Sequence, residues 1–255
     1  MPGFSVLICG AAGRMGRAVA EQAKQAGVDV LAGIDTLPAD LPFPVYPDFS
    51  HVSKHPDVLI DFSKPELLSS LLAFAMENRI PAVLATTGYT DAQLQEIHRA
   101  AEIIPIFRSA NMSIGVALLR RLISEAARTL GPAFDIEIVE AHHNQKVDAP
   151  SGTALMLLDA VKKAAGDDMQ AVYGRSGPSC KRTAREIGVH ALRGGTVAGE
   201  HEVCFFGPME RIRISHSAEN RSVFAIGALR AAAFLIGKPA GEYSMDELIS
   251  ESAKG

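Results

Sequence analysis

Residues 137–154 read EIVEAHHNQKVDAPSGTA, and several side chains in this run are of kinds that move protons and hold anions. His142 and His143 stand side by side at the end of a strand-like pattern, where an imidazole can exchange a proton near neutral pH. Lys146 follows three residues after the second histidine and brings a positive charge with three donors. Ser151, Gly152 and Thr153 then open an apolar helix pattern, whose first-turn N–H groups and dipole attract anions. No step in building a core asks for this combination. It describes a site for a small, negatively charged substrate.

Plainer readings exist for each residue. Two strand-end histidines can simply be satisfied by backbone groups, but Lys146 and the anion-binding turn beside them argue for function. A metal is suggested by the crowding of five of the eight histidines between His142 and His216. Adjacent histidines on a strand face opposite ways, however, and no cysteine or carboxylate sits at ligand spacing, so no metal is expected. Ser151 reads as a helix N-cap rather than a nucleophile, since no base is arranged for it. Asp148 is either a turn former before Ala149-Pro150 or a group that orients Lys146. Arg193, in Arg-Gly-Gly-Thr, either caps a turn or reaches a carboxylate.

What is done to the substrate is written at the N-terminal end of the sequence. Phe4–Cys9 is an apolar run suited to a buried parallel strand. It leads into Gly10-Ala-Ala-Gly13-Arg-Met-Gly16 and then residues at helical spacing, the context in which a glycine turn binds a dinucleotide. Ala12 stands where the commoner pattern has glycine. A second strand, 28–34, ends at Asp35, nineteen residues past Gly16, where a carboxylate meets adenosine ribose hydroxyls. Arg14 in the turn reads as a pyrophosphate or phosphate contact. No Lys or Arg follows Asp35 until Lys54, which points to use of both nicotinamide cofactors with a lean toward NADH.

A chain of 255 residues, 47% hydrophobic and 21% charged, has ample core for one large or two small domains and is not disordered. A net charge of −4 without a basic cluster argues against nucleic acid, and no apolar run approaches the ~20 residues of a membrane span. Met1-Pro-Gly carries no basic segment or cleavage site, so no signal peptide is expected. Cys9 and Cys204 sit in strand-like runs as small core residues, and three cysteines make no paired framework. A reducing cytoplasm is the expected compartment.

Residues 1–112 alternate strand and helix: strands at 6–9, 28–34, 58–61, 82–85 and 103–107, helices at 65–78 and 91–102. Repeated βα units imply a parallel, doubly wound sheet whose carboxyl-end loops carry the cofactor. Ala85-Thr-Thr-Gly-Tyr89 and Ser109-Ala-Asn-Met-Ser113 qualify as such loops by composition. After a helix at 114–130 the texture changes to alternating strands at 134–140, 187–192, 200–206 and 211–217, forming a second sheet. One helix, 153–165, interrupts them. Residues 173–186 read as a long polar loop, and an apolar helix at 223–236 closes the fold. The boundaries expected are a dinucleotide domain at 1–112, a second α+β domain on a mixed sheet at 113–221, and a C-terminal segment at 222–255.

The run E-A-H-H-x-x-K-x-D-x-P-S-G-T-A, together with Gly-Arg-Met-Gly near the N-terminus and Thr86-Thr87-Gly88, resembles the dihydrodipicolinate (4-hydroxy-tetrahydrodipicolinate) reductase family. Arg193-Gly-Gly, Gly199-Glu-His-Glu-Val203 and His216-Ser-Ala-Glu-Asn-Arg221 resemble its later segments. Ala12 and Ala85 depart from positions where the family often has glycine. The resemblance implies a Rossmann-like domain and NADH- or NADPH-dependent reduction of a small dicarboxylate with loss of water, on the diaminopimelate route to lysine. It implies that His142 is the acid/base residue, Lys146 the proton donor and His143 a substrate ligand, with Gly152 and Thr153 holding a carboxylate. It places Gly10, Ala11, Ala12, Gly13, Arg14, Met15, Asp35, Ala85, Thr86, Thr87, Ser109, Ala110, Asn111 and Met112 around the cofactor. It also implies a homotetramer assembled through the second domain's sheet, and a C-terminal segment, 222–255, that returns to the dinucleotide domain. Two other readings remain: a reductase of a different amino or oxo diacid, and a non-catalytic redox sensor. The sensor would not need His142, His143 and Lys146.

Overall fold

A computed structural model describes residues 3–166 and 168–252. The first elements in chain order are β1 (Ser5–Cys9), α1 (Arg14–Ala26), β2 (Asp29–Ile34), β3 (Val45–Tyr46), β4 (Val58–Asp61), α2 (Leu68–Glu77), β5 (Ala82–Leu84), α3 (Asp91–Ala101) and β6 (Pro105–Arg108). There follow α4 (Ile114–Leu130), β7 (Asp135–His142), α5 (Gly152–Ala165), β8 (Gln170–Tyr173), β9 (Glu186–Arg193), β10 (Gly199–Phe206) and β11 (Arg211–Ala218). The chain ends in α6 (Ser222–Leu235), β12 (Gly241–Tyr243) and α7 (Met245–Ser252). Two compact units form: residues up to Ile114 with those from Arg221 onward, and Gly115–Asn220. Met1, Pro2 and the last three residues of the expected C-terminal segment lie outside the described residues.

The first unit is built on a seven-stranded, wholly parallel sheet in the order β12-β6-β5-β4-β1-β2-β3. Its central strands are sealed on both faces, as the unbroken apolar runs require: Val6 through Cys9 and Val58 through Ile60 are all fully buried. Leu7, Leu59 and Leu84 pack with Leu68, Leu71, Ile97 and Ala100 of α2 and α3. α6, apolar nearly all round, lies against β4, β5, β6 and α1. It does not close the fold. β12 extends the sheet beyond β6 and α7 follows it, short elements whose residues (Gly-Glu-Tyr in β12) carry no apolar run to reveal them.

The second unit is a five-stranded mixed sheet, order β11-β10-β7-β9-β8, antiparallel across β11-β10-β7 and parallel across β7-β9-β8. Alternation along β7 buries Ile136 and Ile138 against Leu119 and Ile123 of α4 and Leu157 and Val161 of α5. At roughly 25 cal/mol per Å², these contacts are the main force holding helices to sheet. β8 takes the start of the expected 173–186 loop, which narrows to 174–185. Arg175 pairs there with Glu186 at 2.8 Å, and Arg182 with Asp135 at 2.8 Å and with Glu137, so the loop is tied to the sheet.

Candidate active site

In the first unit, the sequence-predicted cofactor residues gather at the carboxyl ends of the parallel strands. The chain leaves β1 through Gly10, whose φ of +77° places it in the left-handed region. A Cβ there would also lie 2.7 Å from the Phe62 carbonyl oxygen. Gly10 and Ala11 donate from their N–H groups to the Ile34 carbonyl at 2.8 and 3.3 Å, closing the turn onto β2. Gly16 lies where a Cβ would come within 2.2 Å of the Gly10 oxygen, so α1 can start this close to the turn only with glycine there. Ala12 has no positive φ, which is why alanine replaces glycine at that position without strain. Ala11 is fully buried, and Arg14, the first residue of α1, is exposed.

No side chain caps α1, and its first turn holds no acidic residue, so its amide dipoles are left for an anion. Those features fit a dinucleotide pyrophosphate. Asp35 follows β2, with Oδ2 accepting from the Ala12 N–H at 2.9 Å and Oδ1 from the Leu37 N–H at 3.0 Å. Ala85 donates its N–H to the Asp61 carbonyl at 2.9 Å, and Thr86 is buried while Thr87 is exposed. Asp61, at the end of β4, accepts from Ser63 and from the Tyr89 hydroxyl. Burial pushes its carboxyl up, against the opposing hydrogen bonds from Ser63. Ser109 Oγ donates to the Asn111 carbonyl at 2.7 Å, and Asn111 Oδ1 accepts from the Ser113 N–H at 2.9 Å, fixing that loop internally. Ala110 is exposed, whereas Met112 is 2% exposed and its side chain belongs to the core.

The expected acid/base residue of the second unit, His142, sits at the end of β7, on the face that lower down makes the core. Side chains two residues apart share a face, so Glu140 and His142 continue the row of Ile136 and Ile138. The strand ends at His142. His143 turns out of it, contrary to the expected strand end, because its N–H donates to the Val197 carbonyl at 2.8 Å, outside any ladder. His142 is 8% exposed; its Nδ1 lies 2.6 Å from Glu140 Oε2. Register puts Arg193 of β9 beside His142 and His201 of β10 beside Glu140. Arg193 grips Glu140 with both terminal nitrogens, each at 2.8 Å, so it reaches a carboxylate, an internal one. Burial pushes the Glu140 carboxyl up, but bonds from Arg193, His142 and Ser151 outweigh it and hold it below the usual range.

Lys146 lies on the turn after β7, its N–H donating to the His143 carbonyl at 3.1 Å and its Nζ 2.8 Å from Asp148 Oδ1. That contact is the first cause holding the Asp148 carboxyl low. Of its two readings, Asp148 takes the one that orients the lysine. Ser151 caps α5, its Oγ accepting from the Ala154 N–H at 3.1 Å. Gly152 is exposed, and a Cβ added there would meet nothing within 4 Å, so its lack of a side chain serves no packing need. Thr153 is half-buried beside it. His201 packs edge-on to His142 with ring centroids 5.2 Å apart and meets Ser151 Oγ through Nε2 at 3.2 Å. Burial, and then His142, push its pKa down to about 4. Sequence reasoning singled out neither Glu140 nor His201; the i, i+2 spacing of Glu140 and His142 was the available signal.

The N-terminal half of the dihydrodipicolinate reductase family matches residues 4–112 and its C-terminal half residues 115–249. This chain belongs to the dihydrodipicolinate reductase family. Among reductases of this family it is 49% identical over 247 residues to the 4-hydroxy-tetrahydrodipicolinate reductase of Caldanaerobacter subterraneus subsp. tengcongensis, covering 96% of this chain and 98% of that one. It is 46% identical over 247 residues to the enzyme of the same name from Clostridium tetani, covering 96% of each. A dipicolinate-bound dihydrodipicolinate reductase from Paenisporosarcina sp. TG-14 shares the fold, with a TM-score of 0.80 at 24% identity over 94% of this chain and 97% of that one. The parallel dinucleotide-type sheet and the mixed second sheet are thus those of a dihydrodipicolinate reductase. Among the described residues, no helix is long and apolar enough to cross a membrane.

Proposed function

We propose that this chain reduces 4-hydroxy-tetrahydrodipicolinate to tetrahydrodipicolinate with NADH or NADPH and loss of water, on the diaminopimelate route to lysine, through His142, Lys146 and the first turn of α5. The observation that carries this assignment of residues is their assembly at one end of the second sheet, in a chain of this family, with His142 held against a buried carboxylate. Loss of water from the cyclic substrate leaves a conjugated imine. A bound nicotinamide would supply a hydride to that imine, and the resulting enamine would need a proton. Lys146 donates that proton, and His142 serves as the acid/base group beside it. Gly152 and Thr153 hold one substrate carboxylate at the positive end of α5, and His143 binds the substrate alongside.

In the first unit, Gly10, Ala11, Ala12, Gly13, Arg14 and Met15 receive the pyrophosphate and Asp35 the adenosine ribose. The Ala85–Thr87 and Ser109–Met112 loops line the nicotinamide side. Residues 113–221 act as the substrate and subunit domain of a cytoplasmic homotetramer, with 222–255 returning to the dinucleotide domain. The test is an assay in which 4-hydroxy-tetrahydrodipicolinate is made in situ and cofactor oxidation is followed with NADH and NADPH in turn. Oxidation dependent on that substrate is expected; its absence with both cofactors overturns the reading.

A further inference from the structure

Glu140 is 0% exposed and accepts four hydrogen bonds. Oε1 takes one from Arg193 Nη2 at 2.8 Å and one from the Ser151 N–H at 3.0 Å. Oε2 takes one from Arg193 Nη1 at 2.8 Å and one from His142 Nδ1 at 2.6 Å. A carboxylate has about four lone-pair directions, and all are in use. Arg193 Nη2 also donates to the Asp148 carbonyl at 2.6 Å, and Asp148 holds Lys146. Three pieces of the site therefore converge on one ion pair: the histidine directly, the lysine through Asp148, and the start of α5 through the Ser151 amide.

We propose that the buried Glu140–Arg193 pair is the positioning element of this site, fixing His142 in the Nδ1–H tautomer so that Nε2 is its proton-exchanging atom, and setting Lys146 and the α5 turn relative to it. This rests on the assignment of His142 given above. An ionised carboxylate only accepts, so the group facing Oε2 must carry its proton on Nδ1. Neutral His142 then keeps its lone pair on Nε2. That atom has no hydrogen-bond partner among the described residues, yet it is not sealed from solvent. A Cβ on Gly199 would come within 3.1 Å of it, so glycine at that position keeps the ring edge clear. A purely structural ion pair would need neither the histidine at its fourth lone pair nor an open ring edge.

Glu140→Gln preserves shape but brings an NH2 group against donors. The expected result is a kcat loss of about 100-fold or more, with the KM for cofactor changed less than about twofold. The pH profile of kcat/KM should differ from the parent's, because the carboxylate facing His142 Nδ1 is lost while the His201 ring packed on it is kept. The 15N resonances of His142, assigned by their loss in His142→Gln, should report Nδ1–H in the parent protein and the opposite tautomer in Glu140→Gln. Arg193→Lys keeps the charge but loses the fork; it should give mixed tautomers and about a 10-fold loss, and serves if Glu140→Gln does not fold. A folded Glu140→Gln protein with the parent tautomer and pH profile overturns the proposal while His142→Gln is inactive. Full activity in His142→Gln overturns instead the assignment on which it rests.

Discussion

Asp35 accepts a hydrogen bond from the Ala12 N–H through Oδ2 at 2.9 Å, so the acid that ends β2 braces the glycine turn that ends β1. Its second oxygen is engaged by the Leu37 N–H at 3.0 Å. Each oxygen keeps one lone-pair direction for a ribose hydroxyl, whereas a 2′-phosphate would meet a negative charge.

Cofactor choice follows from that arrangement. Both nicotinamide cofactors should be used, with a modest preference for NADH, because no cation follows Asp35 until Lys54. Thr36→Arg should move the ratio of kcat/KM values toward NADPH by a charge-assisted contact of about 1.5–3 kcal/mol. A preference for NADPH above about tenfold in the unmodified protein would show that Arg14 or another group already binds the 2′-phosphate.

Lys146→Ala should lower turnover by roughly 100- to 10,000-fold while leaving the fold intact, since the lysine is only partly buried and its partner Asp148 is exposed. Cofactor affinity should hardly change. Retention of more than half the turnover would remove the lysine from the chemistry.

His201 makes stability depend on pH. Its pKa is about 4 in the folded chain against 6.5 ordinarily, so between these values the unfolded chain binds a proton that the folded chain does not. Stability therefore rises with pH across that window. It is fully present above about pH 6.5 and is lost as pH falls toward 4, by on the order of 3 kcal/mol. Burial shifts His216 the same way, so His201→Gln should flatten the slope of urea-unfolding free energy against pH without abolishing it. An unchanged slope would show that His201 does not carry it.

Gly16→Ala places a methyl group against the Gly10 carbonyl. The turn must then open, with an expected loss of about 1–3 kcal/mol in the cofactor-free protein and weaker cofactor binding. Calorimetry and cofactor titration of the variant check both; an unchanged melting temperature would mean that α1 shifts at no cost.

Sedimentation at micromolar concentration should report a tetramer. A stable monomer would count against assigning subunit contacts to residues 113–221.

The sequence by itself determined the parallel sheet of the first unit, because strands buried on both faces must be continuously apolar. The glycine turn into α1 was equally legible, since only glycine tolerates the geometry at positions 10 and 16. The histidines, Lys146 and the Ser151 cap were visible because their types and spacing have no core function. Tertiary structure alone decided what Arg193 and Glu140 do. They are 53 residues apart, and parallel pairing of β7 with β9 brings them together. Antiparallel pairing of β10 with β7 sets His201 beside Glu140, where it meets Ser151, while Asp148 reaches Lys146 locally, two residues away on the turn after β7. Short edge strands such as β3 and β12 left no pattern, since two or three residues cannot display an alternation. Strand register, which no local spacing encodes, chose the neighbours of His142.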